Sequence, residues 1–293
     1  MDKMPDEVLL HIFSKLSFPD LISGARLTCW RWNRLSKDSS LWTNLDLCLV
    51  KFSQDTFKFR TGVRSLLCDI QDSLERLTFS NLPVDGGTYE LFGSAWKHKN
   101  KAKFKKLKSL DYSYSDVSSR NLRVALTTHP DIEELYLAYT KIPFSQVVKE
   151  AIHLPNLKKL VYHDSKSRDH ISDLLINKLN VLKVPKHCQL LEVVELHTIL
   201  ADLDGEVIQQ FVKYCTKLKR LSFNWSTSLT ADAFNSINAS MHHITELGLL
   251  ERQETGPFLN FVLPSFPCLT QLTVSGQNIH LEDCIAIGEC CPK

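Results

Sequence analysis

One short phrase limits what this chain can fold into: an apolar residue, two variable ones, a second apolar residue, one variable, a third apolar. It occurs as Leu74-Leu77-Phe79, Leu107-Leu110-Tyr112, Ile132-Leu135-Leu137, Leu157-Leu160-Tyr162, Leu191-Val194-Leu196, Leu218-Leu221-Phe223, Ile244-Leu247-Leu249 and Leu269-Leu272-Val274. Its first positions are separated by 33, 25, 25, 34, 27, 26 and 25 residues. The end of each phrase alternates with the two-residue period of a strand. Helix-like stretches lie between phrases, at Ser118 to Thr128, Phe144 to His153, Gly205 to Tyr214, Ala231 to Ser240 and Glu282 to Glu289. One strand and one helix cannot bury their shared apolar face alone, whereas stacked copies can. The spacing predicts an α/β fold: a curved solenoid with a parallel sheet inside and helices outside.

Five of the seven steps lie within the roughly 20 to 29 residues of a leucine-rich repeat. The lead-ins His129-Pro130, Leu154-Pro155, Cys215-Thr216, Phe266-Pro267 and Cys291-Pro292 resemble the "Cys-Pro" start of the cysteine-containing class of that family. About eight repeats are expected, after an atypical first strand at Leu45 and Leu47. The family's Asn or Cys, three residues past the last apolar position, is replaced by Leu82, Ser115, Thr140, Ser165, Ile199, Ser226, Arg252 and Gln277. Hydroxyls there can satisfy turn N–H groups; Leu82 and Ile199 cannot, so those turns should be irregular. The two long steps carry insertions. The first holds Lys97, Lys99, Lys101, Lys103, Lys105, Lys106 and Lys108, read as a solvated loop, an import signal or a contact for an acidic partner. The second, around Ser165 to Lys186, should lengthen a helix. The chain stops on a repeat lead-in, as a fragment or as an end that frays.

Residues 1–45 follow another pattern. Pro5 opens a helix with Asp6 and Glu7 in its first turn, where the helix dipole favours acids. Leu9, Ile12, Phe13 and Leu16 form one apolar stripe. Pro19-Asp20 restarts the chain, and Ile22, Ala25, Cys29 and Trp32 recur at helical steps, giving two or three short helices. About 40 residues rarely hold a self-sufficient core, so this segment needs a partner. Pro5-x-Glu7-x-x-Leu10-x-Ile12-Phe13-x-x-Leu16, then Asp20-Leu21, Cys29-x-x-Trp32-x-x-Leu35, Asp38 and Leu41-Trp42 resembles the F-box motif. The resemblance implies docking on the Skp adaptor of an SCF (Skp, cullin, F-box) ubiquitin ligase, and through it on cullin and RING subunits. It implies Pro5, Leu9, Ile12, Phe13, Leu16, Leu21, Trp32 and Leu35 as the docking set. Trp30 departs from the family pattern; it either covers the next domain or adds a contact. Two domains are expected, 1–45 for the adaptor and 46–293 for the repeats.

With 43% hydrophobic residues, 10 Gly and 11 Pro, disorder is excluded as the main state. A net charge of +2 announces neither a nucleic-acid nor a membrane-surface protein. No apolar run approaches the 18 to 20 residues of a bilayer span, and a cytoplasmic location is expected, extended to the nucleus only on the import-signal reading of the lysine run. The nine cysteines form no CxxC pair and read as buried thiols. Neither HExxH, GxGxxG nor GxxxxGK[ST] occurs, so no metal, cofactor or catalytic residue is expected. The variable strand positions point away from the core. Among them Glu134, Tyr136, Lys159, His163, Glu195 and Arg220, with Trp225 just beyond a strand, are the candidate substrate-binding residues. Their alternating charge argues for a protein partner rather than a polyanion. The chain reads as a non-catalytic substrate receptor; the alternative is a leucine-rich scaffold or inhibitor outside any SCF complex.

Overall fold

The computed structural model describes residues 4–18, 20–47, 67, 69–79, 104–164, 181–197, 205–224, 241–252, 259–276 and 279–291. The chain forms two compact units, Met1–Ile132 and Glu133–Lys293. Both are α/β, with parallel strands following one another in chain order.

The first unit opens with α1 (Asp6–Phe13). Pro5 is its N-cap, one position earlier than its sequence placement inside the helix. A π-wound turn (Asp20–Ala25) runs into α2 (Arg26–Thr28), and extended Cys29 breaks the chain before α3 (Trp30–Leu35). Strands β1 (Asn44–Asp46), β2 (Arg76–Thr78) and β3 (Ser109–Asp111) then pair with Leu45, Leu77 and Leu110 in register. Helix α4 (Ser119–Thr128) begins where a cap is available: the Ser118 hydroxyl accepts the Asn121 N–H at 3.2 Å.

The second unit contains β4 (Glu134–Thr140), α5 (Phe144–Ala151), β5 (Lys159–Asp164), α6 (Lys183–His187), β6 (Val193–His197), α7 (Gly205–Tyr214), β7 (Arg220–Asn224), β8 (Glu246–Arg252), α8 (Leu259–Val262), β9 (Gln271–Gly276) and α9 (Leu281–Cys290). Its six strands keep one register: Leu135, Leu160, Val194, Leu221, Leu247 and Leu272 stand side by side. The Phe144 ring of α5 lies 5.1 Å from Tyr162 of β5, which puts that helix on the apolar side of the strands. The expected helix Ala231 to Ser240, the irregular turns at Leu82 and Ile199, and most of both insertions lie outside the described residues.

Every apolar position of the first seven phrases is buried, whereas Leu269, Leu272 and Val274 are only half-buried. Among the described residues no strand pairs with the far edge of β9, so the last phrase lacks a neighbour to complete its burial. Within the second unit each repeat is tied to the next by one carbonyl that accepts two N–H groups. The Glu133 carbonyl takes Lys158 and Lys159, that of Lys158 takes Glu192 and Val193, and that of Glu192 takes Lys219 and Arg220, at 2.7 to 3.1 Å. At this repeated position Glu133, Lys158, Glu192 and Lys219 alternate in sign. Lys158 and Lys219 pair with the preceding acids at 2.5 and 3.0 Å. Such exposed pairs add little energy each, but a one-unit slip would set like charges together, so they favour the native register.

Two sequence expectations change. The Thr140 hydroxyl donates to the Leu137 carbonyl at 3.3 Å and Ser115 donates to Tyr112; the side chains bond the carbonyl of the phrase's last apolar residue instead of accepting turn N–H groups. Of the described cysteines, Cys188 and Cys215 are buried, but Cys29, Cys268 and Cys284 are exposed because they fall on outward helix and turn positions. The buried pair shares one column, three residues before each phrase, with Phe104, His129, Leu154, Met241 and Phe266. His129 fits this apolar column because its neutral ring is fully used. Nδ1 lies 2.9 Å from the Ala125 carbonyl, and Nε2 accepts the Phe104 N–H at 3.1 Å.

Candidate functional site

Two surfaces carry the sequence-predicted residues. In the helical start, Asp6 joins α1 to α3: it accepts Arg31 Nε at 2.9 Å and an Arg34 nitrogen at 2.6 Å. The Arg31 hydrogen bond holds its carboxyl below the usual range. Phe13 meets Trp32 edge-on at 5.2 Å, and Trp42 donates its indole N–H to the Ser36 carbonyl at 2.7 Å. This packing divides the predicted docking set. Leu9 (1% exposed), Phe13, Leu21 and Leu35 are core, and Trp32 is half-buried. Pro5, Ile12 (42%) and Leu16 are exposed.

Sequence reasoning missed Val8 and Leu27 (74% exposed); Trp30, read as a cover for the next domain or an extra contact, is 78% exposed. Arg34 lies 5.7 Å over the Trp30 ring. Helical spacing held the missing signal: Val8 and Ile12 are four apart and share one stripe, while Leu9 and Phe13 share the next. A segment this short with this many large apolar side chains in water presents a surface for another protein.

The second surface is the face of β4 to β9 opposite the buried phrase residues. Glu134, Tyr136 and Lys159 form one cluster: the Lys159 ammonium sits 4.9 Å over the Tyr136 ring, and the Tyr136 hydroxyl reaches Glu134 at 3.4 Å. Burial raises the Tyr136 pKa, keeping the phenol protonated. His163, Glu195 and Arg220 form a second cluster. Arg220 Nε contacts Glu195 at 2.9 Å, its Nη1 reaches Glu246 at 3.0 Å, and His163 Nε2 lies 3.6 Å from Glu195. His163 and His197 stack with centroids 4.1 Å apart, and His197 Nε2 is 2.8 Å from the Ser222 hydroxyl. Trp225 lies outside the described residues.

His197, Ser222 and Gly248 were legible as face positions, but their connection was not. Gly248 is required here: a Cβ would stand 2.1 Å from Ser222 Oγ, so only glycine lets this serine lie flat and reach His197. No sequence signal pointed to Tyr139, whose φ of 56° is left-handed although its side chain is bulky. Its exposed ring meets His163 edge-on at 5.4 Å.

The electrostatics yield a measurable prediction. His163 lowers the pKa of Glu195 first, then Arg220. Burial lowers His197 to about 4, with His163 beside it adding to the effect. Below pH 6.5 the unfolded chain binds a proton that folded His197 refuses, so stability should fall between about 6.5 and 4; the Glu195 contribution is lost below that. With solvent still reaching the imidazole, the His197 part is about 1 to 2 kcal/mol. Thermal midpoints measured from pH 7 to 4 should drop more steeply for the wild type than for His197→Gln. Equal slopes would refute the assignment.

Burial pushes the Cys188 and Cys215 thiols up to about 12, so neither is a nucleophile at neutral pH. Among the described residues no group of three or more His, Cys, Asp or Glu is placed to hold a metal ion, and no helix is long and apolar enough to cross a membrane.

Compared with known families, residues 1–48 match the F-box-like domain. The match covers the helical start with its exposed Ile12 and Trp30, and β1.

Proposed function

We propose that this chain is the substrate-receptor subunit of an SCF-type ubiquitin ligase. The observation that carries the reading is the F-box-like match at residues 1–48, on a helical segment exposing Val8, Ile12, Leu16, Leu27 and Trp30. F-box domains generally bind Skp-type adaptors, and these side chains form the contact. Cullin and RING subunits join through the adaptor. The remaining residues, from 46 on, form a leucine-rich-repeat solenoid whose sheet face holds the protein to be modified. The regular strand register and the recurring carbonyl ladder support this. Ubiquitin transfer then follows from proximity, with no catalytic residue on this chain. The protein acts in the cytoplasm.

The test is reconstitution. The chain should copurify with a Skp-type adaptor, and a captured protein should be ubiquitinated only when cullin and RING subunits are present. Ubiquitin recovered as a thioester on any cysteine of this chain would overturn the non-catalytic assignment. Charge reversals at Glu134, Lys159, Glu195 and Arg220 should lower substrate capture without affecting the adaptor. Glu195 and Arg220 are partners, so they are reversed together, with Glu246→Gln removing the carboxylate that would otherwise face the new acid at 220. Reversals on the helices, at Lys149, Glu206 and Lys213, serve as the control. If only the helix set lowers capture, the sheet face is not the substrate site.

A further inference from the structure

The helices of the second unit carry a charge pattern that its strands do not. Where the strands begin, Glu133, Lys158, Glu192 and Lys219 alternate in sign and pair. At the C-terminal ends of α5, α6 and α7 the alternation stops. Lys149 and Lys183 stand eight residues before their phrases, Lys186 and Lys213 five, and all four are exposed. Two thiols set these helix ends side by side: Cys188 donates to the Ala151 carbonyl at 3.1 Å, and Cys215 donates to the Cys188 carbonyl at 3.5 Å. Lysines from neighbouring repeats therefore gather on one strip. The acids of the three helices are Glu150, which is buried, and Glu206, in the first turn of α7 at the opposite end.

The charges crowd most at Tyr214. Lys186 of α6 and Lys213 of α7 both lie over its ring, 5.8 and 5.4 Å from the centroid. Helix dipoles favour a cation near each C-terminal end. They do not require two ammoniums on one ring, which like charges oppose. Among the described residues no carboxylate pairs with Lys149, Lys186 or Lys213. Carboxylates from outside the chain would complete them.

The strip also selects among anions. A compact phosphate would be set against the carbonyl poles of the helix ends, and none of the three helices carries an arginine to grip it bidentately. A single-stranded nucleic acid needs rings for its bases, but Tyr214 is half-buried and its ring already holds two ammoniums. An extended run of carboxylates can meet the lysines one after another, at the ends of their flexible stems. We infer that the C-terminal ends of α5, α6 and α7 form a docking surface for an acidic, unphosphorylated segment of a partner protein. Phe144 places α5 on the apolar side of the strands, so this surface is separate from the sheet face, and the inference does not depend on what that face holds. Tyr214 is a positioning residue: its ring keeps the ammoniums of Lys186 and Lys213 together.

The experiment uses the full chain and four fluorescent probes: a Glu-rich peptide, its Gln counterpart, and a phosphoserine peptide and a single-stranded DNA of the same net charge as the first. In anisotropy titrations at low salt the Glu peptide should bind about tenfold or more tightly than the Gln peptide, and its affinity should fall as salt rises. Lys186→Gln combined with Lys213→Gln should remove most of that preference, whereas arginine at both positions should keep it, with thermal midpoints close to wild type in each case. Tyr214→Leu keeps an apolar side chain but not the ring face, and should weaken the Glu peptide about threefold without moving the thermal midpoint. Equal affinity for the Glu and Gln peptides, an unchanged preference in the double Gln variant, or tighter binding of the phosphoserine peptide or the DNA overturns the inference. So does loss of the Glu peptide through the sheet-face charge reversals alone, which would move the acidic contact to the other surface.

Discussion

Ile12→Asp should cut the affinity of this chain for a Skp-type adaptor by about a hundredfold or more, with its thermal unfolding nearly unchanged. Ile12 is 42% exposed, so an aspartate there stays hydrated in the free protein. Its proximity to the C-terminal end of α1 costs at most about 1 kcal/mol through the helix dipole. In the complex the same carboxylate would be driven into an apolar contact, at a cost of several kcal/mol. Leu27→Asp should act alike. Leu9→Asp should also abolish binding, for a different reason: Leu9 is 1% exposed, and a buried charge there dismantles the helical segment. Circular dichroism and heat denaturation, measured beside adaptor affinity, separate the two causes. Ile12→Asp and Leu27→Asp proteins that bind like wild type would place the adaptor contact elsewhere.

That contrast marks where the sequence was readable. The stripe Leu9, Ile12, Phe13 and Leu16 has correct helical spacing, but it contains two four-residue pairs, Leu9 with Phe13 and Ile12 with Leu16. Which pair turns inward depends on Trp32, about twenty residues on, and no local pattern encodes that choice. The repeat units were far more legible, because each phrase combines strand alternation with burial on one side. Gly205–Tyr214 is the helix expected from spacing alone, and the stretch Ser118 to Thr128 became α4, with Ser118 outside it as the cap. On the sheet face, alternation identified the side chains but not their links. The contact of Arg220 with Glu195 and Glu246 joins residues 25 and 26 positions apart, and it depends on strand register. The left-handed Tyr139 was invisible, since its residue type argues against that conformation.

Asp283→Ala should cost the second unit about 3 to 5 kcal/mol, with the loss concentrated in residues 259–291. Asp283 is wholly buried, yet it is used on both sides. One carboxylate oxygen accepts the N–H of Leu259, the first residue of α8, at 2.8 Å. The other accepts the N–H of His280, the N-cap of α9, at 3.1 Å, and the His280 side chain accepts the Asp283 N–H in return. Alanine would leave two backbone donors without these charge-assisted bonds, one of them buried, each worth about 1.5 to 3 kcal/mol. Nothing nearby compensates through packing, because the last phrase, Leu269, Leu272 and Val274, is only half-buried. Asp283→Asn keeps one acceptor oxygen and should fall between wild type and alanine. Amide hydrogen exchange gives the local readout: in the alanine variant, protection should collapse across α8, β9 and α9 while β4 to β6 stay protected. Uniform loss across the unit would mean that it unfolds as one block, and unchanged protection would remove Asp283 as the tie between the two helices.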